Sequence, residues 1–314
     1  MRESTVKLVE LGACMYMPAL NASLVEVGNG WKYGGLRSLI FCTEDSVAER
    51  DLAQALGNLS KALIRLEPAS LKRFVRPRNQ ETLRTILSFK GLENIDGFVI
   101  PKADLSNLPD YFSLIERHER FAVMITIETA TAFDLPALYR LRDYLSAHPL
   151  RDRMTAIRIG ALDLLSLLGL RREPGQTIYD TPLRHVVDQM ITVFRPAGFQ
   201  LAASGCEFIE TQELLAEELN LDLSRGLMGK TALHPDQIGV INSAYMVSRA
   251  DLAMARAVND PARPAVFRLH GRMCEKAVHA NWAAGIEARA NIYGVREEVD
   301  ACGPVRSLDL AGLA

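Results

Sequence analysis

The chain repeats one pattern along most of its length: a short apolar segment rich in β-branched residues is followed by an amphipathic helical segment. Eight such units in succession favour an α/β fold of the (β/α)₈ (TIM) barrel type, in which all strands are parallel. An open, doubly wound sheet is the alternative, because alternation along the chain does not show whether the sheet closes. The predicted strands lie within residues 12–20, 36–45, 72–79, 96–102, 121–128, 154–163, 199–206 and 225–233.

The alternation stops near residue 248. Segments 250–258 and 276–293 have helical patterns, and a proline-containing stretch over 260–275 separates them. We therefore expect a catalytic barrel domain over residues 1–248 and a C-terminal helical extension over 249–314. The extension is expected to pack on the barrel mouth or on a neighbouring subunit; a helical pair that only stabilises the fold is the alternative.

Composition excludes several classes of function. Hydrophobic residues make up 48% and charged residues 24% of the chain, as in a globular protein with a sizeable core. The net charge of −2 gives no electrostatic basis for binding nucleic acid or an anionic membrane. The five cysteines show no CxxC spacing, so we expect a reducing, cytoplasmic setting. Neither a signal-peptide core nor a run of ~20 apolar residues is present.

Charged residues collect where the predicted strands end. In a parallel barrel the carboxyl ends of all strands share one face, and that face carries the active site. Charge that served only solubility would be spread over the helices and both rims. The residues at or just past these ends are Glu44, Asp45, Arg76, Arg78, Lys102, Glu128, Asp163, Lys230 and His234.

Two of these acids, Glu128 and Asp163, each end a buried strand of the pattern, in FAVMITIE and MTAIRIGALD. A carboxylate at such a position is costly unless another group offsets its charge. Mg²⁺ commonly takes one or two protein carboxylates and completes its shell with water and substrate oxygens. The pair therefore predicts a Mg²⁺ site. The alternative is that each acid caps a helix or pairs with an arginine.

Arg76 and Arg78 flank a proline in VRPRN and would share one face of a regular strand. An arginine fork binds carboxylate or phosphate through two hydrogen bonds, so both are candidate substrate-binding residues. Lys102, in IPK, is expected to attract an anionic group or to pair with Glu44 or Glu128. The alternative for each of these cations is a structural ion pair.

Glu44, Asp45 and Lys102 are candidate catalytic residues, with Glu44 and Asp45 expected to hold a water near the metal or to orient Arg76 and Lys102. The alternative for the two acids is a helix N-cap, because Asp45 or Ser46 precedes a predicted helix over 46–65. Gly160 and Gly229 are expected to let the backbone approach the substrate closely. The Gly-Lys-Thr at 229–231 lacks the upstream glycine of a P-loop, and His234 is expected to be structural.

Six motifs taken together resemble the citrate lyase β-subunit-like proteins of the HpcH/HpaI aldolase superfamily. The resemblance covers residues from about 36 to 245, with the motifs in the family's order. It implies a (β/α)₈ barrel that forms a homo-oligomer (trimer or hexamer), Mg²⁺ at the barrel mouth, and reversible carbon–carbon lysis of acyl-CoA thioesters such as citryl-CoA or malyl-CoA. The motifs are TEDSV (43–47), VRPRN (75–79), VIPKAD (99–104), TIETA (126–130), IGALDL (159–164) and GLMGKTALHPDQI (226–238).

The resemblance also implies roles for individual residues. Glu128 and Asp163 match the family's metal ligands, and Arg76 matches the arginine that binds the substrate carboxylate. Glu275, in GRMCE, stands where the family usually has an aspartate that reaches a neighbour's site. Lys102 matches the lysine of the family's IPK motif, and Glu44 and Asp45 match its acidic pair.

Two other functions stay open at this stage. The first is an aldolase that uses a pyruvate-type enolate without CoA. The second is a non-catalytic relative that binds a small acid.

Overall fold

The computed structural model describes residues 6–296. Within that range eight parallel strands form one sheet in the order β7-β6-β5-β4-β3-β2-β1-β8. A parallel bridge between Ala202 and Met228 joins the two ends of this sheet, and the sheet thereby closes into a barrel. The strands are β1 Cys14–Pro18, β2 Ser38–Cys42, β3 Lys72–Arg76, β4 Gly97–Ile100, β5 Ala122–Ile127, β6 Met154–Ile159, β7 Leu201–Ala202 and β8 Thr231–Ala232.

Helices alternate with these strands, as the pattern predicts. Strands β2 and β5 are buried at every position, because the barrel interior covers one face and the helices cover the other. The helices of this part of the chain are α1 Leu8–Leu11, α2 Leu24–Gly28, α3 Leu52–Ile64, α4 Gln80–Leu87, α5 Leu108–Ile115, α6 Leu135–Ala147, α7 Ala161–Leu167, α8 Leu183–Phe194, α9 Gln212–Ser224 and α10 Gln237–Ala244.

Two predicted boundaries near the barrel mouth are wrong. Helix α3 begins at Leu52, after a short 3₁₀ turn over Glu49–Asp51, so neither Asp45 nor Ser46 caps it. Strand β6 ends at Ile159, and Asp163 lies in the first turn of α7 instead of on the strand. The apolar residues after Gly160 have helical spacing and bury Ala161, Leu164 and Leu165, which explains why a helix forms where a strand end and a loop were predicted.

The chain divides into two compact units, Met1–Ala244 and Tyr245–Ala314. The described part of the second unit holds α11 Arg249–Asn259, a hairpin of β9 Val266–Leu269 and β10 Arg272–Glu275, and α12 Lys276–Tyr293. Its small core gathers Val247, Met254, Ala255, Val258, Cys274, Ala283 and Ile286.

The hairpin was not predicted, because proline suggested a loop over 260–275. His270 and Gly271 form its two-residue turn, and both have the positive φ that a tight hairpin turn requires. The predicted domain division at 248/249 stays a prediction, and the last part of that extension lies outside the described residues. Among helices within residues 6–296, none is both long and apolar enough to cross a membrane.

Candidate active site

A pocket of about 330 Å³ opens at the carboxyl ends of the strands, where a barrel enzyme carries its active site. Asp45, Arg76, Glu128, Gly160 and Asp163 line it, so the structure brings these predicted site residues together. A second concavity of about 650 Å³ lies at the opposite end, beside the starts of β3 and β4. The pocket at the carboxyl ends is therefore the candidate active site.

Two of the acids at this mouth are already neutralised. Glu44, only 3% exposed, forms close ion pairs with the Arg76 guanidinium and the Lys102 ammonium. Asp45 accepts from Lys102 Nζ at 2.8 Å and lies 3.4 Å from Arg76 Nη2. The predicted orientation of Arg76 and Lys102 by this acidic pair is therefore present in the geometry.

The other two acids, Glu128 and Asp163, have no such partner. Within residues 6–296 neither carboxylate has a side-chain nitrogen of lysine, arginine or histidine within 4.0 Å. Glu128 is 4% exposed, and its Oε1 accepts the backbone N–H of Lys102 at 2.9 Å. Lys102 has a φ of 48°, in the left-handed region that residues other than glycine seldom adopt. Asp163 is half-buried and lines the same pocket.

Burial raises the pKa of Glu128 above that of an ordinary carboxyl; Arg76 and the Lys102 N–H oppose the rise, and Asp163 adds to it. Burial also raises the pKa of Asp163, and the nearby charge of Asp45 adds to that rise. Ionisation of both carboxyl groups is therefore unfavourable when no cation is bound beside them. A divalent cation beside the two carboxylates would offset that charge.

The donor set fits Mg²⁺ better than a softer metal, since both ligands are carboxylate oxygens. No cluster of three or more His, Cys, Asp or Glu side chains suited to a metal is found in the described part of the chain. A cation here would therefore complete its shell with water and substrate oxygens, which Mg²⁺ sites commonly do.

Gly160 lies directly against the Glu128 side chain. A Cβ at this position would overlap both Cβ and Oε2 of Glu128. Glycine is therefore needed at position 160 for packing, because any side chain there would occupy the space of the Glu128 side chain. The predicted contact of Gly160 with substrate stays a prediction.

Arg78 and Gly229 are not among the residues that line this pocket. The strand ends at Arg76, so alternation no longer applies at Arg78, whose Nη2 donates to the backbone oxygens of Glu44 and Val47. Gly229 precedes β8, and a Cβ there would press on Leu8 at 2.9 Å, at the amino-terminal end of the barrel. Arg78 stabilises the loop after β2 and Gly229 allows close packing; the predicted substrate contacts of both residues stay predictions.

The predicted position of Lys230 at a strand end is wrong, and the structure shows the surroundings of His234. Lys230 comes before β8 and points away from the pocket, into a buried network with Glu218 and Asp222. His234 is partly exposed, with its Nδ1 3.3 Å from Asp236, in keeping with a structural role. Glu275 ends β10, where its backbone N–H donates to His279 Nδ1 at 3.1 Å, and its catalytic role stays a prediction.

The polar pocket residues missed from the sequence include Tyr16, Thr126 and Arg158. Thr126 precedes Glu128 by two positions and Arg158 precedes Gly160 by two, so each shares the inward face of its strand. The arginine inside the apolar run MTAIRI was a usable signal. Two guanidinium groups lie near the Tyr16 ring, with Cζ of Arg76 5.1 Å and Cζ of Arg158 5.4 Å from the ring centroid. Burial raises the Tyr16 pKa, and both arginines oppose that rise.

Over residues 5–295 the chain matches the protein family described as a carbon–carbon bond lyase of the TIM-barrel fold. The chain belongs to this family. The predicted barrel, the predicted superfamily and the predicted lyase class are thereby confirmed.

Relatives of this carbon–carbon bond lyase include citrate lyase subunit beta of Escherichia coli strain K12, 25% identical over 301 residues, with 90% of this chain and 94% of the relative covered. The L-malyl-CoA/beta-methylmalyl-CoA lyase of Rhodobacter capsulatus is 25% identical over 243 residues, with 68% and 73% covered. CitE of Mycobacterium tuberculosis, solved with magnesium, acetoacetate and coenzyme A, has a TM-score of 0.68 and 21% identity, with 90% of this chain and 99% of that chain covered. At that identity the structural likeness shows the fold alone.

We expect Gly160→Ala to weaken Mg²⁺ binding by the lyase about 10-fold or more, because the added methyl displaces the Glu128 carboxylate. Titration calorimetry with MgCl₂ measures the affinity. Gly239→Ala is the matched control, since a Cβ there meets nothing within 4 Å and should leave binding unchanged. Unchanged affinity in Gly160→Ala would mean that the position of Glu128 does not matter for the metal.

A second prediction concerns the metal-free lyase. Because the pKa of Glu128 is raised on folding, its ionised form lowers stability. We expect metal-free Glu128→Gln to be more stable than wild type by about 1 kcal/mol near pH 8. The advantage should shrink as the pH falls, because the folded wild-type chain, with its raised Glu128 pKa, takes up the proton before the unfolded chain does. Urea unfolding in EDTA at several pH values checks this; an advantage that grows on acidification would contradict it.

Proposed function

We propose that this lyase cleaves, or in reverse forms, a citryl-CoA- or malyl-CoA-type thioester, giving an acyl-CoA and a 2-oxo acid, with Mg²⁺ as cofactor. One observation carries the proposal: Glu128 and Asp163 lack the cation partners that neutralise Glu44 and Asp45 at the same mouth. An acid pair kept unpaired beside a pocket is a place for a metal and its substrate. The relatives named malyl-CoA lyase and citrate lyase subunit beta support the CoA thioester.

The reaction needs no oxidant or reductant. The hydroxyl of the hydroxy-acid fragment loses its proton, and its oxygen becomes the carbonyl of the 2-oxo acid. The adjacent carbon–carbon bond breaks, and its electron pair stays on the α-carbon of the thioester as an enolate. That carbon then takes up one proton and becomes the acyl-CoA. The main barrier is the developing negative charge, which preorganised cations and N–H donors stabilise.

Several of the chain's own residues would contribute to this stabilisation. Arg76, positioned by Glu44 and Asp45, would bind the carboxylate of the acid fragment through its fork. Lys102 places positive charge beside the same acids and fixes Glu128 through its backbone N–H. When bound at Glu128 and Asp163, Mg²⁺ would polarise the oxygen of the acid fragment and hold that fragment in one orientation.

Glu275 of a neighbouring chain is the proposed group that moves the proton to or from the thioester carbon. This assignment needs a homo-oligomer, for which we propose the trimer or hexamer that the resemblance implies. Light scattering on the purified protein measures the oligomer. A monomer that retains full activity would reject both the assembly and the role of Glu275 in a neighbour's site.

The assay that tests the function supplies citryl-CoA and malyl-CoA separately, with Mg²⁺ or with EDTA, and measures 2-oxo-acid and free acyl-CoA release. We expect release from at least one thioester with Mg²⁺ and none in EDTA. Release of a 2-oxo acid from CoA-free hydroxy acids alone would overturn the CoA proposal and indicate an aldolase that uses a pyruvate-type enolate. Binding of small acids without turnover of any substrate would indicate a non-catalytic relative.

A further inference from the structure

The pocket contains a second guanidinium, that of Arg158 on β6, which the proposed mechanism does not use. Arg158 is 2% exposed and lines the pocket. Its Nη2 donates to Thr231 Oγ1 at 2.6 Å, whereas Nη1 faces two sulfur atoms, Cys14 Sγ at 3.5 Å and Met124 Sδ at 3.9 Å. Sulfur is a weak hydrogen-bond acceptor. Arg158 also forms a side-chain hydrogen bond with Tyr16, so the partners recorded for this deeply buried cation are a thiol, a thioether and two hydroxyl groups, and none is a carboxylate.

Arg158 also lacks a counter-charge. Within residues 6–296 no carboxylate lies within 4.0 Å of its guanidinium, and an unpaired buried charge is among the costliest features of a protein interior. Arg76 differs, because Glu44 and Asp45 neutralise it. Of the two arginines at this pocket, Arg76 is thus held by acidic side chains, whereas Arg158 has no carboxylate partner among the described residues.

A second polar group beside Arg158 is also unsatisfied. Thr126 pairs with Arg158 in the β5–β6 register and lines the same pocket. Thr126 is 3% exposed, and its Oγ1 has no hydrogen-bond partner among the described residues. A buried hydroxyl without a partner is costly, so its place in the pocket points to a ligand that hydrogen-bonds it. The cation and the hydroxyl lie on neighbouring strands and are independent observations.

We propose that Arg158 and Thr126 bind a second carboxylate of the acid substrate, so that the 2-oxo acid released is dicarboxylic. Among the two thioester types of the proposed function, this selects the citryl-CoA type, which yields oxaloacetate, over the malyl-CoA type, which yields the monocarboxylic glyoxylate. The inference rests on the proposed function, because that function places the 2-oxo acid in this pocket. Arg158 is then a specificity-determining residue, and Arg76 and the Mg²⁺ site act on the part that both acids share.

The test compares the affinities of oxaloacetate and glyoxylate by titration calorimetry in MgCl₂. We expect wild type to bind oxaloacetate at least about 10-fold more tightly, the size expected for one hydrogen-bonded charge pair. Arg158→Gln should remove that preference and leave glyoxylate affinity unchanged. Thr126→Val, which keeps the shape of the side chain, should lower oxaloacetate affinity about 3- to 10-fold. Arg153→Gln is the control: Arg153 precedes the same strand and donates only to backbone oxygens away from the pocket.

Each outcome decides the inference. Equal affinity of wild type for the two acids would overturn it and leave the proposed function intact. If Arg158→Gln lowers the affinities for oxaloacetate and glyoxylate equally, Arg158 has a structural role, and the inference is overturned as well. If Arg158→Gln does not fold, an oxaloacetate preference unchanged in Thr126→Val rejects the site. Failure of wild type to bind either acid would reject the proposed function together with this inference.

Discussion

Glu128→Gln and Asp163→Asn are each expected to abolish measurable Mg²⁺ binding and to lower turnover about 10²- to 10³-fold or more. Each substitution removes one of the two carboxylates that lack a cation partner at the pocket, and keeps the size of the side chain. A gain in metal-free stability should accompany the loss in Glu128→Gln. Calorimetric titration with MgCl₂ and the 2-oxo-acid assay measure binding and turnover on the same preparations.

Matched controls are Glu213→Gln and Asp110→Asn, which neutralise exposed acids in the first turns of α9 and α5. Both should bind Mg²⁺ and turn over substrate like wild type. Equal Mg²⁺ affinity in wild type, Glu128→Gln and Asp163→Asn would remove the metal site and, with it, the carbon–carbon lyase mechanism. Full turnover in EDTA would lead to the same conclusion by an independent route.

The barrel and the face that carries the site were predictable, because both depend on local patterns. Continuous apolar runs such as AVMITI are typical of strands covered on both sides, and parallel strands must place their carboxyl ends together. Arg76, Glu128 and Asp163 therefore line one pocket although they are distant in sequence. Although the predicted end of β6 was wrong, Asp163 still lines the pocket, because the first turn of α7 also faces the barrel mouth.

The partners of Lys230 and Arg78 could not be predicted, because they depend on side-chain direction. Strand β8 has only two residues, so alternation gave no indication of which side Lys230 faces. Thr231 points inward to Arg158, and Lys230 consequently points outward to α9. Similarly, proline after Arg76 ended the strand and turned Arg78 onto backbone oxygens. The sequence thus indicated which residues collect at each end of the strands, and packing decided which of them face the pocket.

Lys230→Met is expected to lower the free energy of unfolding by about 3–5 kcal/mol, the cost of leaving buried charges unpaired. Lys230 Nζ donates to Glu218 Oε1 at 2.6 Å and to Asp222 Oδ2 at 2.7 Å, and all three side chains are at most 1% exposed. Arg172 still compensates Glu218, and Tyr179 Oη donates to Asp222 Oδ1 at 2.5 Å. Asp222 nevertheless loses its only ion-pair partner among the described residues. Urea unfolding at neutral pH measures the effect.

The same substitution at Lys72 is the control, because Lys72 forms a partly exposed ion pair with Glu10 at 3.6 Å. Lys72→Met should cost at most about 1 kcal/mol. Adding Asp222→Asn to Lys230→Met should recover part of the lost stability, since it removes the charge left unpaired. A loss below about 1 kcal/mol in Lys230→Met would mean that water or neighbouring groups solvate Asp222. Because the network points away from the pocket, the activity of the folded fraction should stay at the wild-type level; a specific loss of activity would instead connect α9 with the site.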